Sequence, residues 1–114
     1  LVTVGASEAV DIILRSILNP GDEIIVCEPC YVSYQPLTTL CDAKVIHLDT
    51  SVTGFYPTAE EIEKVITPNT KALMFCSPSN PTGKNISFGV LVTKFIQNLF
   101  TTNTNILQSE VSQE

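Results

Sequence analysis

Three short apolar runs constrain this chain more than any other feature. Ile24-Ile25-Val26-Cys27, Lys44-Val45-Ile46-His47-Leu48 and Ala72-Leu73-Met74-Phe75-Cys76 are each too short for a helix, and the first and third are apolar at successive rather than alternate positions. Such runs suit strands covered on both faces, and strands of that kind belong to parallel sheets. Between the runs the hydrophobic period changes to that of helices. The expected architecture is therefore α/β, a mainly parallel sheet flanked by helices.

The intervening stretches fill in this frame. Leu1 to Val4 reads as a short β-type run ending at Gly5, after which Ala9, Ile12, Ile13, Ser16 and Ile17 share one helical face and Glu8, Asp11 and Arg15 turn away. Asn19-Pro20-Gly21-Asp22 stops that helix, because proline cannot continue it and glycine accepts a left-handed turn. A strand over Glu23 to Glu28 ends at Pro29, and a helix is predicted from Tyr31 to Leu40 with Pro36 near an end or at a kink. Asp49 to Pro57 reads as loop. Thr58-Ala59-Glu60-Glu61 is a capping box opening a helix through Val65 and Ile66, closed by Thr67-Pro68-Asn69 before a strand over Lys71 to Ser77. Phe88, Leu91, Val92, Phe95, Ile96 and Leu99 form a further apolar helix face, and Thr101 to Glu114 is a polar tail. No internal repeat is evident.

Composition limits the partners. With 114 residues, 44% of them hydrophobic and 16% charged, the chain has material for one globular domain. Lys+Arg 6 against Asp+Glu 12 gives a formal charge of −6, and the cations are scattered singly, so nucleic acid and anionic membranes are poor partners. No export signal or membrane-spanning run is present, and the expected setting is the cytoplasm. The four cysteines, Cys27, Cys30, Cys41 and Cys76, are then expected as free thiols. Cys27-Glu28-Pro29-Cys30 has the spacing of a redox or zinc motif but lacks a second ligand pair, and no metal is expected. His47, inside a strand pattern without a partner cluster, reads as structural.

In parallel sheets ligands bind beyond the carboxyl ends of the strands. Gly5-Ala6-Ser7 opens a helix, where unpaired N–H groups and the helix dipole favour an anion such as phosphate. Taken alone, the same residues also read as a turn and an N-cap. Tyr31 follows the next strand end, where its ring could stack on a flat cofactor or simply pack. Asn80, in Ser77-Pro78-Ser79-Asn80-Pro81-Thr82-Gly83, is either a donor to a phenolate-type oxygen or an ordinary turn residue.

Taken in order, Val2-Thr3-Val4-Gly5-Ala6-Ser7-Glu8-Ala9, Asn19-Pro20-Gly21-Asp22-Glu23, Pro29-Cys30-Tyr31 and Ser79-Asn80-Pro81-Thr82-Gly83 resemble the class I/II aminotransferases of fold type I, which depend on pyridoxal 5'-phosphate (PLP). The resemblance covers residues 1–84 and implies part of that family's PLP-binding large domain, with 85–114 a divergent helical segment and tail. It implies that Gly5, Ala6 and Ser7 hold the cofactor phosphate, that Tyr31 stacks on the pyridine ring and that Asn80 bonds the ring's O3' oxygen. It also implies amino-group transfer between an amino acid and a 2-oxo acid, in a homodimeric parent enzyme.

The family's next segment, Asp-Glu-x-Tyr, and its Schiff-base lysine do not follow the Asn-Pro-Thr-Gly turn here. Lys44, Lys64, Lys71, Lys84 and Lys94 read as solvent-exposed, and no catalytic residue is assigned. The expectation is a fragment of such an enzyme, inactive alone, with uncovered apolar surface. The alternatives are a non-catalytic binding or interaction module on the same sheet, or a fragment of a PLP-dependent lyase.

Overall fold

The computed structural model describes residues 1–86. The helix face from Phe88 to Leu99, the tail and Lys94 lie outside the described residues.

Ile24, Ile25 and Val26 are fully buried because their strand is the middle one. β1 (Glu23–Glu28) lies between β2 (Lys44–Asp49) and β3 (Thr70–Met74), in the order β2-β1-β3. Both pairings are parallel, with Ile25 opposite Ile46 on one side and Leu73 on the other. The run of successive apolar residues is thus explained: each face of β1 meets a different helical layer.

Alternation along the strand sorts the core into two clusters. Ile25 and Cys27 join Leu48, Ile62 and Ile86 on the side of α3 (Ala59–Val65). Ile24 and Val26 join Leu14 and Tyr34 on the side of α1 (Gly5–Ile17) and α2 (Tyr34–Thr39). The result is a three-layer α/β sandwich, as the strand and helix alternation predicts.

The capping box of α3 forms as read. Thr58 Oγ1 accepts the Glu61 N–H at 3.3 Å, and the Glu61 carboxylate accepts the Thr58 N–H at 3.3 Å. The Asn19-to-Asp22 turn likewise closes α1, with Asp22 donating its N–H to the Asn19 carbonyl at 3.0 Å. Asp49, expected in the loop, is the last residue of β2 and pairs with Glu28; Thr50 to Pro57 is loop apart from a single 3-10 turn at Ser51–Thr53.

Four local expectations shift. Leu1 to Val4 forms no strand; Leu1, Val2 and Val4 are exposed, with no neighbouring strand among the described residues for their β propensity to act on. The inward face of α1 is Val10, Leu14 and Leu18, whereas Ile13 and Ile17 are 56% and 44% exposed. Both sets satisfy helical spacing, and the sheet selects the row that fits over Ile24 and Val26. α2 begins at Tyr34, after a turn in which Tyr34 N–H donates to the Tyr31 carbonyl at 3.1 Å. This start puts Pro36 in the first turn, where a missing N–H costs no helical hydrogen bond. Finally, β3 stops at Met74, so Phe75 to Ser77 lead away from the sheet toward the Asn80 turn.

Besides Leu1, Val2, Val4, Ile13 and Ile17, Val32, Leu40 and Val52 are exposed. No helix among the described residues is long and apolar enough to cross a membrane.

Candidate functional site

Gly5 is the first residue of α1 and has φ +80°, a conformation that favours glycine. Val4 is the N-cap, and no side chain caps the helix from there. Ser7 is therefore not the N-cap; it sits in the first turn, and the N–H groups of Gly5, Ala6 and Ser7 are those an α-helix leaves unpaired within itself. The Val4 N–H, just outside, donates to the Glu8 carboxylate.

The Ser7 hydroxyl turns toward the end of β1. Its Oγ lies 3.0 Å from the Tyr31 hydroxyl. Tyr31 is reached through the Glu28-Pro29 corner, and its ring meets Tyr34 edge to face, with centroids 5.8 Å apart and planes at 81°. Hydrogen bonds from Ser33 and then Ser7 hold the Tyr31 phenol below its ordinary value of 10.0. Burial, followed by a hydrogen bond with Cys76, pushes the Tyr34 phenol up to about 12.

Asn80 is carried by a closed turn beyond β3. Gly83 N–H donates to the Ser79 carbonyl and Ser79 N–H to the Lys84 carbonyl, each at 2.7 Å. Ser77 clamps the neck: its Oγ accepts the Ile86 N–H at 2.8 Å and donates to the Ile86 carbonyl at 3.3 Å, while Ile86 is buried in the α3-side cluster. The Asn80 N–H donates to Cys76 Sγ at 3.1 Å. Asn80 itself is exposed, and its side-chain amide makes no hydrogen bond among the described residues.

A cleft at the carboxyl ends of β1 and β3 is lined by Cys30, Tyr34, Cys76, Asn80 and Thr82, with Phe55, Phe75 and Ile86 among its apolar walls. Neither Ser7 nor Tyr31 lines it. The residues expected from the sequence thus fall into two groups, Ser7 with Tyr31 and Asn80 with Cys76, and the Tyr31–Tyr34 ring contact joins them. Tyr34 and Cys76 carried no sequence signal, since a single buried aromatic and a single thiol form no pattern. The arrangement offers an anion the start of a helix with a hydroxyl beside it, a ring for stacking, and a free amide.

The CxxC motif is split by the sheet. Cys27 packs in the α3-side cluster and Cys30 against the α1-side cluster. Burial is the first cause raising both thiols, Cys27 to about 12, which is opposite to the lowering that a reactive thiolate requires. All four cysteines are free, and no group of three metal-ligating side chains comes together among the described residues. His47 is a half-exposed surface side chain, its Nδ1 2.5 Å from the Glu28 carboxylate. Lys44, Lys64, Lys71 and Lys84 are exposed.

Comparison with known proteins gives this geometry a family. The family model for aminotransferase class I and II matches residues 1–93. Over 84 residues, 73% of this chain, it is 50% identical to YugH of Bacillus subtilis, a protein named as an aminotransferase. Over the same length it is 43% identical to the aspartate/prephenate aminotransferase of Thermus thermophilus. The chain spans 22% of the length of each of these relatives. Among solved structures, the T. thermophilus aspartate aminotransferase with maleate superposes with a TM-score of 0.78 at 37% identity, covering 83% of this chain and 26% of that one. The aspartate aminotransferase of Rhizobium meliloti gives 0.74 at 34% identity, covering 84% and 25%. On the family match across residues 1–93 and these identities, the chain belongs to the class I and II aminotransferase family.

Proposed function

We propose that this chain is the cofactor-gripping part of a PLP-dependent aminotransferase, one that moves an amino group between an amino acid and a 2-oxo acid. The observation that carries this reading is the Ser7–Tyr31 hydrogen bond, which brings together the residues expected to hold phosphate and ring. The donor set suits the group. The N–H groups of Gly5, Ala6 and Ser7 and the Ser7 hydroxyl suit a phosphate, the Tyr31 ring suits a pyridine face, and the exposed Asn80 amide can donate to the ring's phenolic oxygen.

PLP, when bound, supplies the electron sink that eases loss of a proton from the α-carbon of an amino acid. What these residues contribute is binding and orientation. The helix start and Ser7 fix one end of the cofactor, Tyr31 fixes the ring plane, and Asn80 fixes rotation within that plane. The whole enzyme is read as a homodimer, with Ile13, Ile17 and the Leu1 to Val4 segment supplying apolar surface for the remaining chain or a second subunit to cover. Four free thiols accord with a reducing, cytoplasmic setting.

The test is a titration of the full chain with pyridoxamine 5'-phosphate, which keeps the ring and phosphate but has no aldehyde to react with surface lysines. Saturable quenching of tyrosine fluorescence is expected, weakened about fivefold by Ser7→Ala as one hydrogen bond is lost. No saturable binding by the unsubstituted chain would overturn the reading.

A further inference from the structure

Thr50 carries no signal in the sequence, being one polar residue in a loop, yet it is 3% exposed and lies just beyond the paired ends of β1 and β2. Its N–H donates to the Glu28 carbonyl at 3.0 Å, and its hydroxyl donates to the same oxygen at 2.6 Å. One residue thus fills both acceptor positions of the last carbonyl of β1. The Thr50 carbonyl in turn accepts the Phe55 N–H at 2.8 Å and the Thr53 hydroxyl at 3.0 Å, which folds the loop after β2 back onto this point.

The position matters because the chain turns a corner immediately afterwards. Pro29 has no N–H, so the ladder cannot run on from Glu28 toward Tyr31, and the course of the corner depends on what holds its two ends. At the far end, the Tyr34 N–H donates to the Tyr31 carbonyl at 3.1 Å and the Tyr31 hydroxyl lies 3.0 Å from Ser7 Oγ. At the near end stands the Glu28 carbonyl with its two bonds from Thr50. His47 also reaches Glu28, with Nδ1 2.5 Å from the carboxylate, but the two side chains are 43% and 40% exposed and water screens the pair. The buried hydroxyl, bonded to the backbone itself, is the firmer hold.

Resting on the PLP reading above, we infer that Thr50 is a positioning residue for the cofactor ring: through the Glu28 carbonyl it sets where the corner leaves the sheet, and so where the Tyr31 ring lies relative to the Ser7 hydroxyl and the start of α1. Thr50 lines the cleft that Tyr31 does not, so its effect on the ring passes through the corner and not through direct contact. The loop after the edge strand β2 thereby helps to aim a side chain carried by the central strand.

The experiment uses the full chain with pyridoxamine 5'-phosphate as the probe, measured by equilibrium dialysis, together with ultraviolet titration of the Tyr31 phenol in the ligand-free protein. Thr50→Val keeps the side chain's shape and the backbone N–H and removes only the hydroxyl. It should weaken binding about fivefold, the effect of a lost hydrogen bond. It should also move the phenol up toward 10.0, as a loosened Ser7 contact requires. Thr50→Ser, which keeps the hydroxyl, should restore both. Adding Thr50→Val to Tyr31→Ala should weaken binding no further, because Thr50 acts through that residue. His47→Gln should change affinity less than about twofold. A role in stability alone would lower the urea midpoint and leave the phenol and the affinity of the folded chain in place.

Unchanged affinity or an unmoved phenol in Thr50→Val, no recovery in Thr50→Ser, or full additivity with Tyr31→Ala overturns the inference. If the unsubstituted chain binds no probe, the functional reading fails and the role toward a cofactor fails with it. The phenol of ligand-free Thr50→Val then decides whether Thr50 places Tyr31 at all, and an unmoved titration overturns that as well. Where Thr50→Val does not fold, the link is read in reverse on the unsubstituted chain: saturating probe should slow hydrogen exchange of the Thr50 amide and leave that of Leu18, at the far end of α1, unchanged. A Thr50 amide indifferent to the probe overturns the inference by that route.

Discussion

The Ser7 and Tyr31 hydroxyls lie 3.0 Å apart across 24 residues of sequence, joining the start of α1 to the turn that follows β1. Ser33, two residues on, is the larger cause of that phenol's lowered pKa, with Ser7 second. Donors of this kind favour the phenolate, so removing them should move the titration back up. Ser33→Ala should raise the Tyr31 pKa toward 10.0 more than Ser7→Ala does, and the double substitution more than either. Ultraviolet titration of the phenol near neutral to alkaline pH, with Tyr31→Phe to assign the signal, checks the order. An unmoved titration in both single variants would contradict the hydrogen-bond geometry.

Stability should fall as pH rises from about 9 toward 12. Cys27 is raised from 9.0 to about 12, first by burial, and Tyr34 from 10.0 to about 12, again first by burial. In both cases the folded chain keeps a proton that the unfolded chain has already released. The unfolded state then binds fewer protons, and the slope of stability against pH is negative across that window. Below pH 9 the contribution is fully present. Cys27→Ala should lower stability at neutral pH but flatten the alkaline slope, as urea melts at several pH values would show. A slope identical to that of the unsubstituted chain would remove Cys27 as its cause.

The two layers on the sheet imply very different tolerances within short stretches of sequence. Ile25 is fully buried between Ile46 and Leu73, in contact with the α3-side cluster. Ile25→Ala should cost about 2–5 kcal/mol, the range for a large side chain deleted from a packed core. Ile13, 56% exposed, should cost no more than about 0.5 kcal/mol on truncation to Ala. Comparable losses at the two positions would mean that the outer face of α1 is covered in solution.

That contrast marks where the sequence was legible. The buried run of β1, the capping box of α3 and the turn after α1 each follow from local chemistry, and each forms as that chemistry dictates. The face of α1 could not be read so directly, because Val10-Leu14-Leu18 and Ala9-Ile13-Ile17 have equally good helical spacing and only the sheet beneath chooses between them. Leu1 to Val4 misled for a related reason, since β propensity reports fit to a neighbouring strand and none among the described residues lies there. Gly5, Ala6, Ser7, Tyr31 and Asn80 could be selected from ordered motifs. Tyr34 and Cys76 could not, because their meeting depends on the β1–β3 register and on where α2 begins.

The neck of the Asn80 turn gives a last prediction. Ser77 Oγ accepts the Ile86 N–H at 2.8 Å and donates to the Ile86 carbonyl at 3.3 Å, closing the segment that holds Asn80 with a single side chain. Ile86 is 7% exposed and packs with Ile25, Leu48 and Ile62, so this clamp also ties the turn to the core. Ser77→Ala removes the partner of both groups while leaving Ile86 able to stay packed. The cost should be about 1–3 kcal/mol if the Ile86 N–H stays unpaired, and nearer the low end if water replaces the hydroxyl. Exchange of the Ile86 amide should quicken more than that of Val26, at the sheet's centre, which follows global unfolding. If instead both amides speed up equally, the clamp stabilises the whole domain rather than the turn. If neither changes, Ser77 contributes nothing to holding Asn80 in place, and the task falls to the Cys76 contact and the two backbone bonds of Ser79 with Gly83 and Lys84.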